Sequence, residues 1–442
     1  MSAAEPDGTS VLGHREPAAV AGQRPSHARL FILALVTLAT MLNYLDRAVL
    51  GVAAPEITKE LGISAAVMGL IFSAFSWTYA AAQIPGGIVL DKLGTRLTYA
   101  LSLGFWSFFT LLHGFAHNVV TLVVFRLGLG VAEAPCYPSN SRILSSWFPQ
   151  TERARATGVY SVGQYFGLAF LSPVLFWVVA NWGWRSLFVI VGAIGIVFGV
   201  AWYFLYRDPS QSRRLNAAER AIIEAGGGLE AKGGAIAFSW SAVGALLSKR
   251  QILGASLGQF ASNSTLVFFI TWFPTYLATE RHLDWIKSGV FAVLPYIAAS
   301  CGVLIGGTVS DWLIRKTGSA SIGRKAPVVA GLLLTSTILL ANYVTSNTLV
   351  IVVMSIAFFG QGICNLGWTL ISDVAPKAQI GLAGGVFNLC ANVAGIVTPM
   401  VIGFVVAATG SFYGALAYIG CVALLGALSY IFIVGEVKRV EI

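Results

Sequence analysis

A chain of 442 residues that is 56% hydrophobic and only 11% charged is not a water-soluble protein, in which about a quarter of residues are charged. Its net charge of +9 does not mark a nucleic-acid binder, because the positive-inside rule for membrane proteins already accounts for the excess. The five cysteines, Cys136, Cys301, Cys364, Cys390 and Cys421, lie in apolar segments without CxxC spacing; this excludes a disulfide framework and a metal site, and leaves them as small residues at helix contacts.

Residues 1–29 are polar and lack an apolar run behind a basic start, so they read as a disordered cytoplasmic tail and not as a signal peptide. Twelve apolar stretches follow, at roughly 30–54, 66–90, 96–116, 119–146, 154–180, 185–206, 252–278, 287–313, 327–346, 348–371, 380–407 and 411–434. Each can cross about 30 Å of hydrocarbon as a helix. The widest gap, 207–250, is rich in glycine and charge. It separates an N-terminal bundle (30–206) from a C-terminal bundle (251–435), with 436–442 as a second short tail. Within the gap LNAAERAIIEAG reads as a solvated turn; the alternative is a surface helix capped by Asn216, with Glu219 three residues on. All but six of the 28 Lys and Arg fall on one side of this topology. That side is therefore cytoplasmic and carries both termini. Lys59, Arg185, Arg281 and Lys287 fall on the other side; Arg47 and Arg126 remain inside.

The halves repeat each other. Gly86-Gly87 and Asp91 close the second stretch, and Gly306-Gly307 and Asp311 close the eighth; Lys92 and Arg96 follow the first, Arg315 and Lys316 the second. Pro149 and Gly158 open the fifth as Pro376 and Gly385 open the eleventh. The expected fold is an all-α membrane protein of twelve transmembrane helices in two pseudo-symmetric six-helix bundles, with a binding site at the midplane between them.

Four charges lie deep within the apolar stretches, away from their ends: Asp46 and Arg47 in the first, Arg126 and Glu133 in the fourth. Each costs about 2.5–3.5 kcal/mol at mid-bilayer, so such residues line a pathway and have partners. Arg126 and Glu133 share one helix face about 10 Å apart along its axis, whereas adjacent Asp46 and Arg47 point roughly 100° apart. One of that pair can face a cavity and the other a neighbouring helix. A carboxyl can load and release a proton as its surroundings change. A guanidinium stays charged and grips carboxylates through two parallel donors. The chemistry gives protons to the acids and substrate to the arginines. Static buried ion pairs are the plainer alternative, and a weak source of stability.

The segment GGIVLDKLGTR (Gly86–Arg96) resembles the loop between helices two and three of the major facilitator superfamily. NYLDR (Asn43–Arg47), FSAFSWTYAAAQIPGG (Phe72–Gly87), EAPCYPSNSRILSSWFP (Glu133–Pro149), GQYFGLAF (Gly163–Phe170), TWFPTYL (Thr271–Leu277) and GGVFN (Gly384–Asn388) resemble its anion:cation symporter family, nearest the bacterial sugar-acid:proton symporters of the D-galactonate and glucarate type. The resemblance implies proton-coupled import of a sugar acid, an aldonate such as D-galactonate or a uronate or glucarate, across the bacterial inner membrane by alternating access. On matching positions Asp46 and Glu133 would couple protons and Arg47 would bind the substrate carboxylate. Arg126 would either do likewise or tune an acid.

Tyr44, Tyr79 and Gln164 in the first half and Asn365, Trp368 and Asn388 in the second would complete a sugar-acid pocket, with Asn392, Gln259 and Asn263 as weaker candidates. The second half has no embedded charge, so the carboxylate should face the first half and the hydroxyls the second. Galactonate-type members tend to carry a hydroxyl residue where Gly367 stands, which leaves another aldonate, a uronate or a dicarboxylate open. Asp91, Arg96, Arg142 and Arg153 would form a cytoplasmic gate whose salt bridges break on opening inward. His113 and His117 read as interfacial, with proton relays as the alternative, and Gly163 and Gly167 as a close helix contact, with gating as the alternative. The expected partners are a small organic anion, protons and the lipid bilayer, and the expected state is a monomer without cofactor or metal. Alternatives are a proton symporter of another organic anion such as an aromatic carboxylate, and a transporter-like sensor. No nucleophile–base set or nucleotide loop suggests an enzyme.

Overall fold

The computed structural model describes residues 24–228, 240–376 and 379–440. Nine of its helices among the described residues are long and apolar enough to cross a membrane. Two of them, Ala65–His113 and Gln150–Leu205, each hold two spans joined at a glycine. Gly94 (φ 76°, ψ 165°) and Gly183 (φ 76°, ψ 167°) leave the helical region there, a conformation open to glycine because it has no Cβ. The more polar helix Arg250–Thr271 completes the twelve-helix fold.

The spans in order are Ala28–Leu61, 65–93, 95–113, Val119–Trp147, 150–182, 184–205, Arg250–Thr271, Trp285–Thr317, Ala320–Tyr343, Asn347–Val374, Ile380–Thr409 and Tyr413–Ile433. Each overlaps one expected stretch. The turns also repeat between halves. Gly94 has a counterpart in Gly318 (φ 67°), between the eighth and ninth spans, and Gly183 in Gly410 (φ 68°), between the eleventh and twelfth. Gly183 and Gly410 keep the same offset as Pro149 and Pro376.

The apolar interior shows how the halves meet. One cluster joins them, with Leu50, Phe72 and Phe176 from the first half and Phe269, Trp272 and Ala292 from the second. It lies toward the face opposite the termini, the far face. Toward the terminal face the interior is divided. Val36, Trp106 and Trp147 belong to a cluster of the first half, and Leu332, Leu370 and Phe387 to a cluster of the second. On the far side, Phe72 meets Trp272 edge-on at 5.2 Å and Phe176 meets Trp285 at 5.9 Å. A Cβ on Gly69 would fall against Pro399 O, and one on Gly289 would lie 3.1 Å from Phe176. Among the described residues no ion pair crosses between halves. Tyr165 Oη donates to Gln361 Oε1 across them at 3.1 Å.

Gly163 and Gly167 let the fifth span approach the first: added Cβ atoms would meet Thr37 and Met41. The sequence 217–225 forms a helix, with Asn216 accepting from the Glu219 amide at 2.9 Å, so the solvated-turn reading is replaced by the capped helix. Glu219 itself is fully buried. Its carboxylate accepts from Ser26 Oγ and from the backbone N–H groups of Ala28 (2.8 Å) and Arg29 (3.2 Å), and so caps the first span, whose opening amides have no intrahelical acceptor. Gly226 O accepts from Gln150 N at 2.8 Å, which ties the same helix to the fifth span. Residues 1–23 of the tail and 229–239 of the gap lie outside the described residues. The five cysteines are free. Cys301 and Cys421 face outward and Cys390 is half-buried, so the helix-contact reading suits the buried Cys136 and Cys364.

Candidate functional site

The embedded charges meet in the first half. On the first span, Asp46 and Arg47 diverge as adjacent helical positions must. Asp46 turns to the third span, where Trp106 Nε1 donates to its Oδ2 at 2.8 Å. Arg47 turns to the fourth. Its Nε donates to Glu133 Oε1 at 2.7 Å, and its Nη2 to the same oxygen. Glu133 is wholly buried while Arg47 keeps 18% of its side chain exposed, so the guanidinium is the cavity side of the pair.

Three rings box that guanidinium: Tyr44 at 5.1 Å, Phe75 at 4.8 Å and Tyr79 at 4.9 Å. A cation over ring faces is favoured most where water is excluded. Phe75 also underlies Arg126, at 5.4 Å, so one ring carries both arginines. Arg126 is buried, forms no ion pair among the described residues, and leaves Nε without a hydrogen-bond partner. Asn43, one turn before Arg47 and beside Glu133, is fully buried with both amide atoms short of a normal hydrogen bond.

Tyr44, Arg47, Phe75, Ser76 and Arg126 line a cavity between the halves. The second half contributes Asn263, Leu266, Ile270 and Thr271 from the seventh span and Asn392 and Pro399 from the eleventh, none of them charged. The volume of this space is about 60 Å³. A larger cavity of about 640 Å³ lies at the terminal face, between the first half and the 217–225 helix, lined by Thr95, Arg142, Asp208 and Arg220. It is remote from the embedded charges.

Of the expected pocket residues, Tyr44, Arg47 and Arg126 line the cavity, and Tyr79 and Glu133 stand behind Arg47. Gln164 is buried, Asn365 and Asn388 are partly exposed, and Trp368 is exposed with its ring edge-on to Phe387 at 5.0 Å. None of these four lines this space. Asn263 and Asn392 do, and Ser76 and Thr271 join them without a sequence signal beyond being hydroxyls in apolar helices. His113 is not interfacial: it is buried and stacked on Phe188 at 5.2 Å.

The expected gate residues sit at the terminal face. Asp91 and Arg142 pair at 3.0 Å. Arg96 donates to Tyr203 O at 2.8 Å and covers that ring. Arg153 donates to Phe148, Ser145 and Gly227 carbonyls. All these contacts stay within the first half and its linker helix. The second half has a matching set, with Arg324 between Asp311 (3.3 Å) and Asp373 (3.0 Å).

Twelve spans in two repeats, with charges buried around a space between the halves, define a membrane transporter. Residues 36–399 match the Major Facilitator Superfamily, and the chain belongs to that family. It is a multi-pass bacterial membrane protein and not an enzyme. It is 44% identical over 429 residues to a probable galactarate/D-glucarate transporter, GarP, of Escherichia coli K12, covering 94% of this chain and 97% of the relative. It is 42% identical to a D-galactonate transporter of E. coli O6:H1 (94% and 98% covered), and 41% identical to the probable galactarate/D-glucarate transporter GudP of Bacillus subtilis (95% and 94%). In fold it is similar to a bacterial homolog of the human lysosomal transporter Spinster (TM-score 0.68, 21% identity, 93% and 96% covered) and to a variant of the nucleoside transporter NupG (TM-score 0.67, 14% identity, 92% and 99% covered).

Proposed function

We propose that this protein imports a sugar acid across the bacterial inner membrane together with protons, by alternating access. The observation that carries the reading is Arg126, a buried cation without a carboxylate partner among the described residues, in a cavity where Arg47 is already held by Glu133. A substrate carboxylate would supply the missing anion to Arg126. The neutral Asn263, Thr271 and Asn392 opposite suit hydroxyls. The names of the relatives support a sugar acid as the cargo.

In this reading Glu133 and Asp46 carry the protons. Protonation of Glu133 would release Arg47, which could then turn to the substrate; Tyr44 and Tyr79 keep its guanidinium within reach of the cavity. Gln164, Asn365, Trp368 and Asn388 would close on the substrate as the halves rearrange. With the basic face cytoplasmic, both termini would lie inside, and the joined far-side core would correspond to an inward-open arrangement. Asp91, Arg96, Arg142 and Arg153 would then shape the cytoplasmic end of the first half. The gap at 207–250 divides two bundles that rock as units within a monomer.

The test is uptake of labelled aldonates, aldarates, uronates and aromatic acids into proteoliposomes with an imposed pH gradient. Concentrative uptake of sugar acids that collapses with the gradient is the expected result. Uptake of aromatic acids alone, or uptake indifferent to the gradient, would refute it.

A further inference from the structure

The third span carries buried polar side chains that the substrate cavity does not use. Trp106, Thr110 and His113 are four and three residues apart and share one helix face. Trp106 bonds Asp46, and the Thr110 hydroxyl faces the same carboxyl. His113 is the last residue of the span, about 10 Å beyond Trp106 along the axis. It is buried, whereas Phe115 and His117, just past it at the far face, are exposed.

The tautomer of His113 follows from its partner. Nδ1 lies 2.7 Å from Phe109 O. A carbonyl only accepts, so Nδ1 holds the hydrogen and Nε2 keeps its lone pair. Nε2 is buried without a hydrogen-bond partner, and Thr110 Oγ1 and Asp46 Oδ1 also lack one of normal geometry. Buried polar atoms in native proteins are ordinarily satisfied. Three such atoms, two of them one turn apart on one helix face and the third beside Thr110, suit a transfer route better than a packing role. The ring stacks on Phe188 of the sixth span and leans on Phe125 of the fourth. The charged group facing it is Arg126 on the fourth span, while Asp46 on the first faces Thr110. Arg185 on the sixth is held away by Glu60 and by Ala116 O.

We propose that His113 relays protons between the far face and Asp46 along the third span, bypassing the substrate cavity. The inference rests on the proton-coupled reading above. Hydronium at the far face gives its proton to Nε2 and leaves as water. The new N–H bond then breaks toward the Thr110 hydroxyl, which passes its own proton to Asp46 Oδ1. The imidazole returns to its starting tautomer, and the carboxylate becomes a carboxylic acid.

The experiment uses His113→Phe, His113→Gln and His113→Glu in proteoliposomes. Exchange of labelled for unlabelled sugar acid at equal pH needs no net proton movement and reports folding and binding. For His113→Phe and His113→Gln, exchange should stay within about twofold of wild type, while the initial rate of pH-gradient-driven uptake falls about tenfold or more. The titratable His113→Glu should recover part of that rate with a displaced external-pH profile. Two results would overturn the relay: gradient-driven rates and pH profiles unchanged in the first two variants, or exchange and gradient-driven uptake falling together in all three. If wild type itself gains nothing from a pH gradient, the proton-coupled reading fails, and the relay with it.

Discussion

Arg47 Nε stands 2.7 Å from Glu133 Oε1, binding a base of the first span to an acid of the fourth. Each is the other's counter-charge, so a proton on Glu133 removes the partner that Arg47 has. Glu133→Gln keeps the shape and a carbonyl acceptor but cannot bind or release a proton. Its pH-gradient-driven accumulation should be abolished, while exchange at equal pH persists. Parallel assays of the two modes in proteoliposomes check this; full concentrative uptake by the variant would take Glu133 out of coupling.

Arg126 should be the more sensitive of the two arginines to replacement by lysine in binding measurements. Arg126→Lys keeps the charge and loses the paired donors of a guanidinium. A charge-assisted hydrogen bond contributes about 1.5–3 kcal/mol, so affinity for a sugar acid should fall roughly tenfold to a hundredfold. Titration calorimetry of the purified variant measures it, and unchanged affinity would exclude Arg126 as the carboxylate anchor.

Gly51 lies where the first and seventh spans meet on the far side. A Cβ there would press on the Ile270 carbonyl and come within 2.9 Å of Thr271 O. Gly51→Ala should therefore shift the population toward a state with the far side open. Spin labels on those two spans should report a longer distance. Gly158→Ala is the control, because nothing lies within 4 Å of its added Cβ.

Glu219→Ala should lower stability without touching the transport site. It removes the acceptor for two backbone N–H groups and for Ser26 at the head of the first span. Leaving buried donors unsatisfied costs about 1–3 kcal/mol. The readout is a lower thermal midpoint in detergent, with substrate affinity near that of wild type.

Orientation can be settled with single cysteines at Lys438 and His117, both exposed. In intact cells a membrane-impermeant maleimide should label the second and spare the first. The reverse pattern would invert the topology.

The spans and the embedded charges were legible in the sequence because the bilayer makes both conspicuous: apolar runs must be long, and charges within them are rare. Helical geometry also announced that Asp46 and Arg47 would part. It could not say that Arg47 would find Glu133 while Arg126 found no ion pair among the described residues, since that depends on how two spans are rotated against each other. Asn263, Thr271 and Ser76 were faint for another reason. A neutral polar residue in an apolar helix serves equally as a helix contact or a cavity wall. His113 was misplaced because a residue at the end of a span can face headgroups or a neighbouring helix, and hydropathy is the same in both cases. Glu219 gave no sign of its partner, since a cap across 191 residues leaves no local pattern.

The seam on the far side has a consequence for rate. The halves meet there through aromatic rings, glycines and backbone carbonyls, with Tyr165–Gln361 as a neutral hydrogen bond between them. Added salt screens charges over about 10 Å at 0.1 M, but among the described residues this seam presents no ion pair to screen. Ionic strength should leave the speed of its parting nearly unchanged. Urea, which weakens apolar contact, should hasten it, so the two solutes together separate the barrier at the seam from the charged chemistry behind it.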